Sequence, residues 1–492
     1  MNRYLSIFSS LLLFLLILIT LSCCTKDEKE TTRLNIYPPS VEFGTDGGTI
    51  EIHISSNTSW IIINPSEWCR LPVEGAEGDG ILQLTADSNQ SENERTATIL
   101  FKADNISKEL QVLQRGSSDT VPEFSYDIPP DATNMRDMTS VELAAEMGVG
   151  WNVGNSLEAI GGETAWGNPL ITKTLIDSVK AAGFTSMRIP VAWSKFSDES
   201  TFTIDVSWMD RVEEVVNYVL DDDMYAVMNI HWDGGWMQPT YADEAYVNAR
   251  LEAMWDQIAT RFRDYDDHLL FAGTNEVMVE GDYGTPTPEY YTVQNGFNRT
   301  FVTTVRKTGG RNAYRHLVVQ GFNTNINNTL SFAEIPEDVT PDRLMMEVHY
   351  YDPYNFTINE NSSITQWGMY ATDPAHTETW ANESYADDQF QKMKTNFIDK
   401  GIAVILGEYG VLSRLNVEDH AEYRRYYIEY VTHSMVHHGL VPFLWDNGYT
   451  GNHGMGIFDR HTGEQVYPEL VEAIVTALPE KNLINPVSPY TQ

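Results

Sequence analysis

Cysteine is nearly absent: three occur in 492 residues, and two of them, Cys23 and Cys24, adjoin at the end of an apolar run. The third, Cys69, stands alone, so no disulfide framework can staple the fold and no Cys/His spacing offers a zinc site. Cys69 is expected as a small buried filler. Basic residues are scarce as well. Lys and Arg number 32 against 70 Asp and Glu, a formal net charge of −38. That surface repels the phosphates of nucleic acid, which is excluded as a partner. Otherwise it means solubility and suits a neutral substrate. Metal and nucleotide motifs are missing too: no HExxH or EF-hand loop occurs, and "GVGWNVG" has the wrong spacing for GxGxxG. No metal and no cofactor is expected.

The one long apolar run lies at the amino terminus, where Arg3 precedes "LSIFSSLLLFLLILITL" and "SCC". Residues 1–24 read as a targeting signal, with a membrane-spanning anchor as the rival reading. The small residues and cysteine at its end resemble the lipobox of bacterial lipoproteins, which makes Cys24 the expected lipidated residue and Cys23 the alternative. The following "TKDEKE" resembles the signal that sends some Gram-negative lipoproteins to the cell surface. That resemblance implies a protein held at the outer membrane by lipid and exposed outside; a monomer is expected.

What remains is too long for one ordinary core, and at 42% apolar it is globular, so two domains are expected. Residues 34–115 carry short β-branched runs ("TIEIHISS", "SWIIIN", "GILQLTAD", "RTATILFKA", "KELQVLQRG") split by Gly, Asn, Ser and Asp. Their even spacing predicts a small β-sandwich. "NTSW", "ERTATI" and "LQVLQRG" resemble the BACON domain, whose family name implies carbohydrate binding, although a spacer is the physical alternative. Trp60 and Trp68 are expected in its core. "GSSDTVPEFSYDIPPDAT" (116–133), rich in Ser, Pro and Asp, reads as a linker holding the two domains apart.

From residue 134 to 480 strand and helix patterns alternate. Eight near-continuous apolar strand candidates, "GVGWNVGNS", "SMRIPVAW", "YAVMNIHW", "LLFAGTNE", "HLVVQGFNT", "LMMEVHYY", "IAVILGEYG" and "VPFLWDNG", have helical stretches between most pairs. Continuous apolarity marks strands buried on both faces, hence a parallel sheet. Eight units in a row predict a closed (β/α)8 barrel rather than a doubly wound open sheet. The fold class is thus α/β, a TIM barrel preceded by a small all-β domain.

Polar residues collect where these strands end: Asn152, Asn155, Arg188, His231, Asn275, Glu276, His349, Tyr351, Glu408 and Trp445. Packing explains any one of them alone, but not eight strands ending this way around the mouth where a barrel carries its chemistry. Two carboxylates with Arg, His and aromatic support suit glycoside hydrolysis, one donating a proton and the other ionised. Arg188 can keep a neighbouring carboxylate charged. The flat face of Trp445 suits a pyranose ring.

"RIPV", "NIHW", "TNE", "VHYY", "LGEYG" and "FLWDNG" resemble glycoside hydrolase family 5 strand by strand over residues 140–480. The resemblance implies that Arg188, His231, Asn275, Glu276, His349, Tyr351, Glu408 and Trp445 are its eight near-invariant residues. It also implies that Glu276 is the acid/base and Glu408 the nucleophile, that Asn275 holds the sugar 2-hydroxyl and that Tyr351 touches the nucleophile. "GWNVGNSLEA", "ETAWGNP", "NIHWDGGW" and "VRKTGG" resemble its subfamily 4, which cleaves β-1,4-glucan backbones. Plant cell-wall polysaccharide, xyloglucan first, is then the expected partner; mixed-linkage glucan, cellulose and mannan are alternatives. A glycan-binding protein on a dead barrel is the rival class, and it is disfavoured because both glutamates survive. Asn152 is expected at the substrate, and Trp236 and Trp367 are expected to line the cleft ahead of Trp166, Trp193 and Trp232. His437, His438 and the "DDD" at 221–223 are expected at the surface.

Overall fold

The structure, a computed structural model, describes residues 32–116 and 124–478. Cys24, the apolar run before it and residues 117–123 lie outside the described residues. The chain divides into two compact units, at Glu123/Phe124.

The first unit is all β: one sheet of four strands and one of five. Its longest strands bury alternate residues, as in Gly48–Ser56 and Arg95–Ala103, which gives one wet and one dry face. The dry faces enclose Leu34, Ile52, Leu84, Ile99, Phe101 and Leu110, with Cys69 fully buried among them. Trp60 is buried and donates from its indole nitrogen to the Gly78 carbonyl at 2.8 Å. The Trp68 ring is half-buried, with the Arg95 guanidinium 4.5 Å from its centroid.

The second unit is a closed barrel of eight parallel strands. These are β1 Gly150–Val153, β2 Ser186–Ile189, β3 Tyr225–Asn229, β4 Leu269–Ala272, β5 Leu317–Asn325, β6 Leu344–Tyr350, β7 Ala403–Tyr409 and β8 Val441–Asp446. β1 pairs with β8 and closes the ring. Residues of one parity (Val227, Leu270, Val318, Met345, Ile405, Phe443) form an inner core with Leu143 and Met147. The last two lie on the helix Ser140–Met147, which starts at a capping box: Thr139 and Glu142 satisfy each other's backbone amides. The opposite parity packs outward against the helices. The inner parity therefore continues upward from oil to chemistry. On β6, Met345 is followed by Glu347 and His349.

The segment expected as a linker differs in its second half. Residues 124–133 belong to the barrel unit: the Asp127 amide donates to the Lys307 carbonyl at 2.7 Å, and Gly310 donates to Pro129 at 3.3 Å. Gly309 makes room for this strap, since a Cβ there would lie 1.9 Å from the Ile128 carbonyl oxygen. The "TGG" of "VRKTGG" is explained by that crossing. His438 is also buried rather than exposed, its Nδ1 bonded to the Ser434 carbonyl at 2.7 Å, whereas His437 is exposed as expected. Asp222 of "DDD" pairs with Lys173. Among the described residues no helix is long and apolar enough to cross a membrane.

Candidate active site

Arg188 projects from β2 into the barrel with no exposed surface. Its Nη1 donates to Asn152 Oδ1 at 3.0 Å and to Glu408 Oε1 at 2.9 Å, and its Nη2 donates to Asn275 Oδ1 at 2.5 Å. Asn152, expected at the substrate, is fully buried; its amide donates to the Gly407 carbonyl at 2.8 Å while its oxygen holds Arg188. It supports the site through Arg188, because the Gly407 carbonyl and the guanidinium occupy both ends of its amide. Arg188 is likewise fully buried among protein groups, and it holds Glu408 and Asn275 from within the barrel.

Glu408 arrives by a bulge. Val348 pairs with Leu406 but His349 pairs with Glu408, so Gly407 is the extra residue between them. The bulge turns Glu408 toward His349. Glu276 takes a different route. Its φ of +47° is a left-handed conformation unusual for a side-chain-bearing residue, and its amide donates to Gln320 Oε1 at 3.2 Å. That turn lifts Glu276 above the strand end, with 38% of its side chain exposed against 7% for Glu408.

His349 stands between them. Its Nδ1 is 2.8 Å from Glu276 Oε1 and 3.7 Å from Glu408, and its Nε2 is 3.2 Å from Glu347 Oε1. One oxygen of each dyad carboxylate and a His349 nitrogen all lie within 4.8 Å of one another. Such a trio resembles a divalent-cation donor set, but neither imidazole nitrogen is free to coordinate. Burial opposes its charge, yet Glu408, Glu276 and Glu347 push His349 up to about 9. It is a second cation of the site beside Arg188. Burial pushes Glu408 up, while His349 and Arg188 pull it back. Glu276, against its own burial, is drawn down by the His349 hydrogen bond and charge.

Tyr351 donates to Glu408 Oε2 at 3.2 Å. Burial, with Glu408 and Glu276 nearby, keeps that phenol protonated. His231 is held well below its ordinary value by burial and by the charges of Arg188 and His349, so it is neutral. Its ring lies 9° from parallel to Trp445, centroids 5.8 Å apart. The Asn275 Nδ2 is buried without a protein partner, a donor left for a ligand.

The strand ends thus bring together Arg188, His231, Asn275, Glu276, His349, Tyr351, Glu408 and Trp445. Two of the expected cleft tryptophans are elsewhere. Trp367 is buried, donates to the Ala381 carbonyl at 2.7 Å and packs on Tyr427 with centroids 4.8 Å apart. It is core because the polar loop around it folds back onto helix His420–His437. Trp236 is half-buried under the Arg250 guanidinium, 5.0 Å from its centroid. Trp232 takes the place expected of them: 44% exposed, it lines a recess of about 200 Å³ with Asn275, Glu276 and Tyr283. A larger concavity, about 670 Å³, lies on the flank beside Tyr426 and Tyr430, away from the carboxylates.

One residue of the site escaped the sequence reading altogether. Glu347 is fully buried beneath His349, with its Oε1 2.9 Å from Arg188 Nε. The signal was there: it lies two residues before His349 and so shares its face.

Comparison with known proteins places this geometry. Residues 152–451 match the cellulase (glycosyl hydrolase family 5) model, and residues 54–115 match the BACON model, a putative N-terminal binding domain. A xyloglucan-specific endo-β-1,4-glucanase of Bacteroides ovatus is 41% identical over 95% of this chain and 96% of its own length. The solved xyloglucanase of Bacteroides ovatus with a XXXG heptasaccharide has a TM-score of 0.70 and 41% identity, covering 91% of this chain and 99% of that one. A GH5-4 broad specificity endoglucanase from Bacteroides salanitronis has a TM-score of 0.66 and 37% identity, covering 72% and 99%. The chain belongs to the cellulase family, glycosyl hydrolase family 5, and is a glycosidase of β-1,4-glucans.

Proposed function

We propose that the protein is a retaining endo-β-1,4-glucanase whose main substrate is xyloglucan, with Glu276 as acid/base and Glu408 as nucleophile. The carrying observation is the approach of the two carboxylates, oxygens within 4.8 Å. Retaining glycosidases keep the pair about 5–5.5 Å apart, whereas inverting ones need room for a water. The Glu408 carboxylate attacks the anomeric carbon as the glycosidic oxygen takes a proton from Glu276 and leaves as a sugar hydroxyl. Glu276, now ionised, removes a proton from water, which displaces Glu408 and restores the starting configuration. The His349 nitrogen 2.8 Å from Glu276 is close enough to hand it the proton that it gives to the leaving group. Arg188 and Tyr351 both donate to Glu408, which suits an attacking carboxylate.

The relatives from Bacteroides ovatus support xyloglucan. Broad specificity is the second reading, favoured by the Bacteroides salanitronis endoglucanase. Rates on xyloglucan, mixed-linkage glucan, cellulose and mannan decide between them, and proton NMR of the first product checks retention. Comparable rates on the first three replace the first reading by the second, and inverted product removes the mechanism.

Surface attachment through Cys24 completes the proposal, supported by the lipobox-like "SCC" and the acidic stretch after it. Radiolabelled palmitate should enter the wild type and not Cys24→Ala; label in that variant moves the site to Cys23. The first unit acts as a spacer, since neither Trp60 nor Trp68 offers a bare face to a sugar. Failure of that unit alone to bind immobilised xyloglucan is the expected result.

A further inference from the structure

Beneath the two glutamates lies a third carboxylate that the double-displacement chemistry does not use. Glu347 has no exposed surface, and its Oε1 meets two cations, Arg188 Nε at 2.9 Å and His349 Nε2 at 3.2 Å. Each cation in turn reaches a different dyad member: Arg188 donates to Glu408, and His349 lies 2.8 Å from Glu276. A buried charge is tolerated only when paired, and two buried cations on one carboxylate is a costly arrangement to build without use.

The neighbouring strand makes way for it. A Cβ on Gly407 would lie 2.0 Å from Glu347 Oε1 and 2.7 Å from its Cδ. Gly407 therefore serves twice, as the bulge residue that turns Glu408 and as the gap that Glu347 fills.

We propose that Glu347 is a positioning residue of the reaction, which rests on the glutamate roles given above: its carboxylate orients Arg188 and His349 from below and sets the charge of the buried cluster. The groups facing it are Arg188 from β2, His349 on its own strand, Gln320 (uncharged) from β5, Glu408 from β7 and Glu276 beyond β4. Three carboxylates thus oppose two cations and leave one negative charge. That excess makes each proton bound to the cluster harder to remove. Although burial works against it, Arg188 and His349 hold Glu347 below the usual carboxylate range, so it is ionised throughout the working range.

The consequence is a translation of the pH profile. Glu347→Gln keeps the shape and removes the charge, so both limbs of kcat/KM on a soluble β-1,4-glucan oligosaccharide should move to lower pH, by about one unit. Glu347→Asp keeps the charge, so its limbs should stay at the wild-type positions even where kcat falls. A Glu347→Gln enzyme that loses rate with both limbs unmoved overturns the proposal, since a merely structural group changes the height alone. Should the glutamine variant not fold, nitrogen NMR of histidine-labelled wild type decides. At the pH optimum the signal missing from His349→Asn should be a ring protonated at Nε2, because Nε2–H has Glu347 as its acceptor; a bare Nε2 refutes the proposal. Glu276→Ala and Glu408→Ala keep the two readings apart. Activity surviving in those variants sinks the glutamate roles, whereas unmoved limbs with an intact dyad sink only the role of Glu347.

Discussion

Arg188 and Glu408 form a shielded ion pair: Nη1 to Oε1 at 2.9 Å, with the guanidinium fully buried. The buried guanidinium makes it screened far less than a surface pair. Removing Arg188 takes one cation from Glu408 and from Glu347 and the donor from the Asn275 oxygen at once. Arg188→Ala should lower the unfolding free energy by about 3–5 kcal/mol, read from urea melts. Arg188→Lys keeps the charge but replaces a planar fan of donors with a point charge. It should retain much of that stability and still lose about 100-fold or more in kcat/KM. An active lysine variant would show that Arg188 supplies charge alone.

Trp232 and Trp367 should part company in the same pair of assays. Trp232→Ala removes a half-open wall of the recess beside Glu276, and should raise KM on oligosaccharides with the melting temperature unchanged. Trp367→Ala empties a fully packed site among Tyr426, Tyr427 and Tyr430, and should cost about 3–5 kcal/mol of stability. A stable Trp367→Ala with raised KM would return that residue to the cleft.

The strap at 124–133 makes a truncation informative. A chain beginning at Phe124 keeps the Asp127–Lys307 and Pro129–Gly310 backbone bonds, and one beginning at Asn134 loses them. Both should cleave short oligosaccharides, but the shorter one should melt at lower temperature. Equal melting points would mean that the strap adds nothing to the barrel.

Strand number, order and closure were legible because each barrel strand is a continuous apolar run ending in a polar residue. The position of Arg188, Glu276 and Glu408 around one mouth followed from that alone. Side-chain partners were not legible. Asn152 and Glu408 are each the last residue but one of a strand, yet Asn152 is spent on Arg188 and the Gly407 carbonyl, whereas the bulge at Gly407 turns Glu408 toward His349. The tryptophans failed for another reason. A loop residue has no periodicity, so nothing in "TQWGMY" shows that Trp367 turns inward onto a helix distant in sequence. The strap looked like a linker because it is held mainly through backbone atoms, which carry no sequence signature.

Acid should loosen the barrel through two histidines outside the site. His316 and His420 are buried, and burial with nearby arginines pushes each down to about 3. The unfolded chain protonates them near 6.5. Below that value the unfolded state binds protons that the folded state refuses, so stability falls as pH drops from about 6.5 toward 3. Each group contributes about 1 kcal/mol per pH unit over that window. Urea melts between those limits should show the slope, and His316→Gln should flatten it; an unchanged slope would mean that the ring is reached by water.

The two glutamates should fail in different ways, which separates their roles better than loss of activity does. Glu408 makes the covalent bond, so Glu408→Ala should be inert even toward an aryl glycoside with a good leaving group. Glu276 acts twice, first as acid and then as base. A good leaving group needs no acid, so Glu276→Ala should still form the glycosyl-enzyme and then stall for want of a base. The exposure of Glu276 matters here: with 38% of its side chain open, its removal leaves space above Glu408 for a small anion. Azide needs no deprotonation, so it should restore turnover and leave a β-glycosyl azide with retained configuration. Mass spectrometry of the stalled variant should find the sugar on the peptide carrying Glu408. Sugar on the Glu347 peptide instead would assign the nucleophile to the wrong carboxylate of the cluster, and an α-azide would reverse the stereochemical course.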